Sequence, residues 1–149
     1  MEIRQAEPQD IEQLTELITT VSELDVLPQF NTQGQQEYMN RVIPDIETTF
    51  NTKLFDTFVA VELDKVVGFA ALRDKNYITH LFVAKEAQGL GLGKTLLDKL
   101  LSQTSAKNIS LRASINAQYF YQHYGFVATE PESEFMGIRF VPMALTKQT

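Results

Sequence analysis

Three of the chain's seven glycines fall within five residues, at Gly89, Gly91 and Gly93. They separate an apolar run ending at Val83 from a leucine-rich segment beginning at Leu92. Glycine at such a junction allows positive φ and lets the backbone come close to a ligand. Successive N–H groups at the start of a helix form an anion site, for which a pyrophosphate is the natural guest. A tight turn with a cap would need one glycine. Further on, Tyr121 is a phenol able to donate a proton, and Asn116 can cap a helix or hydrogen-bond a ligand. The absence of cysteine removes disulfides, thiolate metal sites and a cysteine nucleophile, and it fits a reducing compartment. With His80 and His123 the only histidines, no metal site is expected.

Two phosphate-binding patterns fit poorly. Gly93-Lys94-Thr95 matches the end of G-x-x-x-x-G-K-[ST], but Gln88 holds the first position and no strand ends in an acidic magnesium partner. A P-loop-like nucleotide-binding domain is therefore the weaker alternative. A G-x-G-x-x-G fingerprint would place its third glycine at Lys94, and the acidic residue it needs about 20 positions on falls near Ile109-Ser110.

Gln88-Gly89-Leu90-Gly91-Leu92-Gly93 reads Q-x-x-G-x-G. It resembles the acetyl-coenzyme A loop of the GNAT N-acetyltransferase superfamily, R/Q-x-x-G-x-G/A. His80-Leu81-Phe82-Val83 looks like that family's fourth strand, and Asn116-Ala117-(x2)-Phe120-Tyr121-(x3)-Gly125-Phe126 looks like its second motif. The resemblance implies that the N–H groups of Gly89, Leu90, Gly91, Leu92, Gly93 and Lys94 hold the pyrophosphate of acetyl-CoA. Gln88 stands where arginine is commoner, so one phosphate charge partner is missing. Lys94 adds a point charge or is a solvated helix lysine. The backbone of Leu81, Phe82 and Val83 would lie along the pantetheine arm, and one N–H there would polarise the thioester carbonyl. Asn116 would bond the cofactor near the pantetheine, and Tyr121 would protonate the leaving thiolate. A positioned acid contributes about 10²–10⁴-fold. No general base emerges. Tyr77 and Thr79 are poor bases, strand alternation turns His80 to the other face, and Glu37 and Glu47 read as solvated helix carboxylates.

These residues need a scaffold. Ile3 lies in a short first strand, Pro8 and Asp10 suit a first helical turn, and Ile11, Leu14, Leu17, Ile18 and Val21 repeat at helical spacing. Tyr38, Met39, Val42, Ile43, Ile46 and Phe50 predict a second helix, kinked or broken near Pro44, with Pro28 and Gly34 in the connection. Phe58–Val61, Val66–Leu72 and Tyr77–Val83 predict an antiparallel meander with turns at Asp64-Lys65 and Asp74-Lys75-Asn76. Leu92, Leu96, Leu97, Leu100 and Leu101 stripe one helix. A strand over Ile109–Ala113 follows, then a short helix capped by Asn116 and ended by Gly125. Phe126–Thr129 and Phe135–Leu145 are the last strands, Pro142 marking an edge or strand end. The order β-α-α-β-β-β-α-β-α-β-β specifies a mixed α/β (α+β) fold. The expected form is a GNAT-like, mostly antiparallel central sheet of six or seven strands flanked by about four helices.

At 149 residues, with 44% hydrophobic and 21% charged, the chain reads as one domain, which the resemblance implies is a single acetyltransferase domain over 1–149. Met1 to Asp10 lacks the apolar stretch of a signal peptide, and Val66 to Leu72 falls far short of the ~18 residues of a membrane span. A cytoplasmic protein with no membrane partner is expected. A net charge of −6 argues against nucleic acid and mildly favours cationic small partners. The resemblance implies an acyltransferase that moves the acetyl group of acetyl-CoA directly to a primary amine of a small molecule or peptide. A non-catalytic acyl-CoA binding or sensing module is the alternative. The resemblance places acceptor contacts in Leu24–Phe50 and Glu130–Val141, where Phe30, Tyr38, Phe135, Met136 and Phe140 either line a cleft or pack in the core. The last strands offer pairing edges for a homodimer.

Overall fold

In a computed structural model that describes residues 1–147, the apolar spacings become buried faces. Leu14, Leu17, Ile18 and Val21 bury one side of α1 (Ile11–Asp25), and Val42 and Ile46 one side of α2 (Thr32–Thr48). Strands β1 (Glu2–Gln5), β2 (Phe55–Glu62), β3 (Lys65–Arg73) and β4 (Tyr77–Val83) surround and follow these helices. Helix α3 (Leu92–Ser102), β5 (Asn108–Ala113), α4 (Gln118–His123), β6 (Val127–Ala128), β7 (Ser133–Phe135) and β8 (Ile138–Thr146) complete the order. The described residues form an eight-stranded sheet in the order β1-β2-β3-β4-β5-β8-β6, with β7 paired to β8. Every pairing is antiparallel except β4 with β5. Among the described residues no helix is long and apolar enough to cross a membrane.

The sheet has two covered faces. A Cβ built on Gly68 would meet Leu96 of α3, so Gly68 and, by alternation, Ala70 and Leu72 face α3. Val67, Phe69 and Ala71 face the other side of the sheet, where α1 packs on β3 and α2 on β8. Register carries these faces across to β4: Leu81 lies opposite Ala70 and Val83 opposite Gly68, on the α3 face, while Phe82 lies opposite Phe69.

Several local expectations shift. Leu63 and Asp64 have φ of 50° and 65°, and Asp74 and Lys75 have 53° and 62°, so both meander turns are mirror-image turns. The first sits one residue before Asp64-Lys65. Pro44 does not break α2: the proline is exposed, and Val42 and Ile46 on the opposite side stay packed in the core. The expected last strand splits into β7 and β8 because Met136 and Gly137 turn there with φ of 50° and 87°. Pro142 is interior to β8, which runs between β5 and β6; its carbonyl accepts from Thr129 N–H at 2.9 Å. Gly34 lies inside the first turn of α2, capped by Asn31 Oδ1 on its N–H at 2.8 Å.

That first turn of α2 touches the β7–β8 turn backbone to backbone. A Cβ on Gly34 would stand 2.1 Å from Gly137 O, and one on Gly137 would stand 2.5 Å from Gly34 N. No side chain fits between them, so the crossing fixes the hairpin against α2. Gly34→Ala should destabilise the protein by about 1–3 kcal/mol, as overpacking does, read by urea unfolding. Exposed Gln36→Ala serves as control and should leave the midpoint in place.

Candidate active site

The glycine loop joins β4 to α3 and uses its glycines for two reasons. Gly89 and Gly91 sit at φ of 82° and 81°, with open space where a Cβ would be. Gly93 has ordinary φ but packs so closely that a Cβ would lie 3.2 Å from Phe120. Gly91 is the N-cap of α3, and its carbonyl accepts from Thr95 N–H at 3.0 Å. Among the described residues no acceptor is found for the N–H groups of Gly89, Leu90, Gly91, Leu92, Gly93 and Lys94. They open a run of donors at a helix start, where the macrodipole favours an anion.

The side chains flanking this run are engaged elsewhere. Lys94 Nζ pairs with Asp98 at 2.6 Å, and Thr95 Oγ1 donates to Gly91 O, so the G-K-T triplet does not present itself as a P-loop. Leu90 points to solvent at 74% exposure. Gln88 Nε2 donates to Val83 O at 3.0 Å and lies 3.4 Å from Asp25 Oδ2. Asn116 is not the cap of α4, which begins from Ala117; its Nδ2 donates to Asp25 O at 3.0 Å. Asp25 also pairs with Lys85 at 2.8 Å. The end of α1 is thus tied to the β4–α3 connection and to the approach to α4, a role for Asp25 that the sequence did not signal.

Beside the loop, β4 and β5 part. Among the described residues they pair at Tyr77 with Ser110 and Ile78 with Leu111, and not beyond. Ala84 N–H donates to Val67 O of β3 at 2.9 Å, so alternation sends Phe82 N–H the same way. The N–H groups of Leu81 and Val83 therefore face the gap. A cleft of about 1160 Å³ passes through this gap and opens on both faces of the sheet. On the α3 side it is lined by Gly89, Gly91, Gly93, Asn116 and Tyr121. The Tyr121 ring is buried, edge-on to Phe120 and Phe126 at 5.2 and 5.5 Å. Burial pushes its phenol pKa well above 10, so it stays protonated.

On the α1–α2 side the lining includes Phe30, Tyr38, Phe135 and Phe140, as the sequence suggested. Met136 instead lies outside the cleft, half exposed, its sulfur 3.9 Å from Arg41 Nη2. Glu37 is paired with Arg41 at 2.6 Å, and neither it nor Glu47 lines the cleft. Asp45, Arg41, Arg73, Arg112 and Arg139 do, and the sequence reading missed them. Alternation on β5 could have flagged Arg112, which lies between buried Leu111 and Ala113.

His80 corrects a further expectation. Register pairs Ala71 with His80 and Leu72 with Ile78, leaving Thr79 as a bulge. The extra residue resets the alternation. Tyr77, opposite Arg73, and His80, opposite Ala71, therefore share the α1–α2 face. His80 lines the cleft, with Nδ1 2.8 Å from Thr79 Oγ1 and its ring 5.4 Å from that of Phe69. Burial pulls its pKa down to about 4, so the imidazole is neutral at neutral pH.

A loop of unpaired amides, a parted pair of strands and a buried tyrosine meet at one cleft. Residues 26–147 match the family model described as the acetyltransferase (GNAT) domain. The chain belongs to the GNAT acetyltransferase family. It resembles the GCN5-related N-acetyltransferase from Rhodopseudomonas palustris, with 26% identity, 98% of this chain and 95% of that one covered, and a TM-score of 0.78. It shares its fold with the PaiA N-acetyltransferase from Thermoplasma acidophilum, solved with coenzyme A, at 17% identity, 98% coverage of both chains and a TM-score of 0.75. A 5-NmdU N-acetyltransferase of Pseudomonas phage PaMx11 is 28% identical over 99 residues, covering 61% of this chain and 69% of that protein. This GNAT protein is an acyltransferase, and acetyl-CoA is its acetyl donor. The residues present fit that donor: the open space over Gly89 and Gly91 and the six unpaired amides suit a diphosphate, and the gap admits an extended arm.

His80 also gives the GNAT domain a pH-dependent stability. The unfolded histidine titrates at about 6.5 and the folded one at about 4, so between these values the unfolded chain binds the proton more readily. Stability is full above pH 6.5 and is lost as pH falls toward 4, by about 3 kcal/mol from this group. Urea midpoints measured from pH 7.5 to 4 should fall less steeply in His80→Gln than in the parent.

Proposed function

We propose that the protein moves the acetyl group of acetyl-CoA directly onto a primary amine of a small molecule or peptide, and that 1–149 is one acetyltransferase domain. The single observation that carries this reading is the cleft through the sheet. Donor amides line its α3 side, a separate wall of aromatic and charged side chains lines its α1–α2 side, and the β4–β5 gap joins them. Such an arrangement lets two substrates meet end to end, which supplies proximity without a covalent enzyme intermediate. Acetyl-CoA brings an acetyl group activated as a thioester. The amides of Gly89 to Lys94 bind its diphosphate, and the gap-facing N–H groups of Leu81 and Val83 align the arm and polarise the carbonyl. Phe82 lies between those two residues and turns its ring to the other face, against His80 at 6.2 Å.

Tyr121 donates a proton to the leaving sulfur. It is suited to this because its phenol is protonated across the working range and lines the cleft. Gln88 and Asn116 act as positioning residues: Gln88 occupies the Val83 carbonyl, and Asn116 anchors the strand–helix connection to Asp25. Lys94, held by Asp98, supplies a screened charge. Neutral His80 takes up a proton reluctantly, so the amine sheds its proton chiefly to solvent. The name of the phage relative gives an N-acetyl transfer to 5-NmdU, which fits a nitrogen acceptor here.

Tyr121→Phe should lower turnover by about 10²-fold or more, with acetyl-CoA affinity within about twofold of the parent. Thiol release from acetyl-CoA reads the first and titration calorimetry the second. ATP–Mg in the same calorimeter should give no heat. Unchanged turnover would move the proton donor elsewhere, and acetyl-CoA binding without thiol release toward any amine would leave a binding module.

A further inference from the structure

We infer that the acceptor amine carries an oxyanion, a carboxylate or a phosphate, and that Arg112 with Arg73 holds it. This rests on the reading of the α1–α2 wall as the acceptor side. Four of the chain's five arginines line the cleft, and all four stand on that wall; the fifth, Arg4, is locked to Asp10 at 2.8 Å. In a chain of net charge −6 this is a local reversal of sign. Screening over about 8–10 Å lets the nearby groups, and not the distant total, set the field a small acceptor meets.

The four arginines are not equivalent. Arg139 is saturated: its Nε and Nη2 reach Glu132 at 2.8 and 3.0 Å, and its Nη1 donates to Gln29 O at 3.1 Å. Arg41 pairs with Glu37. Arg73 has only Asp74 in range, at 3.7 Å, too far for a hydrogen bond. Arg112 makes no ion pair or side-chain hydrogen bond among the described residues. Each of these two sits over an aromatic ring, the Arg73 guanidinium carbon 4.8 Å from the Tyr77 centroid and that of Arg112 4.6 Å from the Phe140 centroid. Both rings line the cleft. An aromatic ring holds the cation in place without taking its hydrogen bonds, and with no acceptor on either guanidinium among the described residues, the N–H groups remain to grip an oxyanion with two parallel bonds.

Their placement suits a substrate's far end. Register runs Arg73 to Tyr77 across β3 and β4, then Tyr77 to Ser110 across β4 and β5. Arg112 is two residues past Ser110 and so on the same face, just beyond Leu111, where the strands part. The guanidiniums therefore flank the mouth through which an amine must reach the acetyl group. Asp45 lines the same wall from α2 and offers a partner for an ammonium. Arg112 has no carboxylate partner among the described residues, and Arg73 has only the Asp74 carboxylate at 3.7 Å, which does not line the cleft; against Asp45 in the wall, the pair favours an amine that also bears negative charge over a polycation, the reverse of what the net charge suggested.

Thiol release with acetyl-CoA is measured for matched acceptors: β-alanine against β-alaninamide, phosphoethanolamine against ethanolamine, and spermidine, with rates referred to the free-amine fraction. The carboxylate or the phosphate member should exceed its neutral partner at least ~10-fold in kcat/KM, as charge-assisted bonds do, and the two pairs tell which oxyanion is used. Arg112→Gln should bring that ratio close to one, mainly through KM, with Arg73→Gln acting in the same direction and Arg112→Lys restoring part of it. Acetyl-CoA affinity and melting temperature are followed in each variant. Neutral amines or spermidine preferred by a protein that binds acetyl-CoA would overturn this inference alone, as would a ratio untouched by either glutamine variant. Absence of acetyl-CoA binding, or of thiol release with every amine, would overturn both this inference and the proposed function.

Discussion

Everything in the site follows from two strands that stop pairing. β4 and β5 bond at Tyr77 and Ile78 and then separate, leaving the N–H groups of Leu81 and Val83 without a neighbouring strand. Unpaired backbone donors are costly when buried, so an opened sheet persists only where a ligand or water can take their place. α3 starts beside the opening with its own unpaired amides, and the two sets of donors face one cleft. An extended anionic cofactor with a strand-like arm is the ligand that such a gap accommodates.

The opening is braced from outside. Asp25 at the end of α1 holds Lys85 and Asn116, and Gln88 holds the carbonyl of Val83. Residues that look like ligand contacts in the family's pattern thus serve first to keep the loop in position. On the opposite wall the glycine crossing of Gly34 and Gly137 sets the β7–β8 turn on α2, which brings Phe135 and Phe140 into the lining of the cleft. One wall is thus placed by side-chain bonds to the end of α1, the other by a backbone contact that leaves no room for a side chain.

Much was legible because local chemistry and periodicity agreed. The leucine stripe of α3, the meander and the glycine loop each carry their own signal, and the order of elements followed directly. The misreadings share a cause. His80 was assigned to the wrong face because a bulge at Thr79 adds a residue that alternation cannot count. Pro44 predicts a kink or a break, and α2 nonetheless runs unbroken because the burial of Val42 and Ile46, which holds it together, is a tertiary fact. The arginine wall was missed because Arg41, Arg73, Arg112 and Arg139 come from α2, β3, β5 and β8, with no spacing in common.

By itself the sequence determined the family and the form of the β4–α3 loop, since Gln88 to Gly93 is a short-range pattern whose geometry is set by glycine torsions and a helix start. The tertiary structure alone decided the α1–α2 wall of the cleft. Arg73 meets Tyr77 across one hairpin, but Arg112 meets Phe140 from another strand, the four arginines gather from four separate elements, and which guanidiniums stay unbonded depends on where Glu37 and Glu132 reach. Contacts of that kind are fixed by packing between elements, and no local stretch of the chain encodes them.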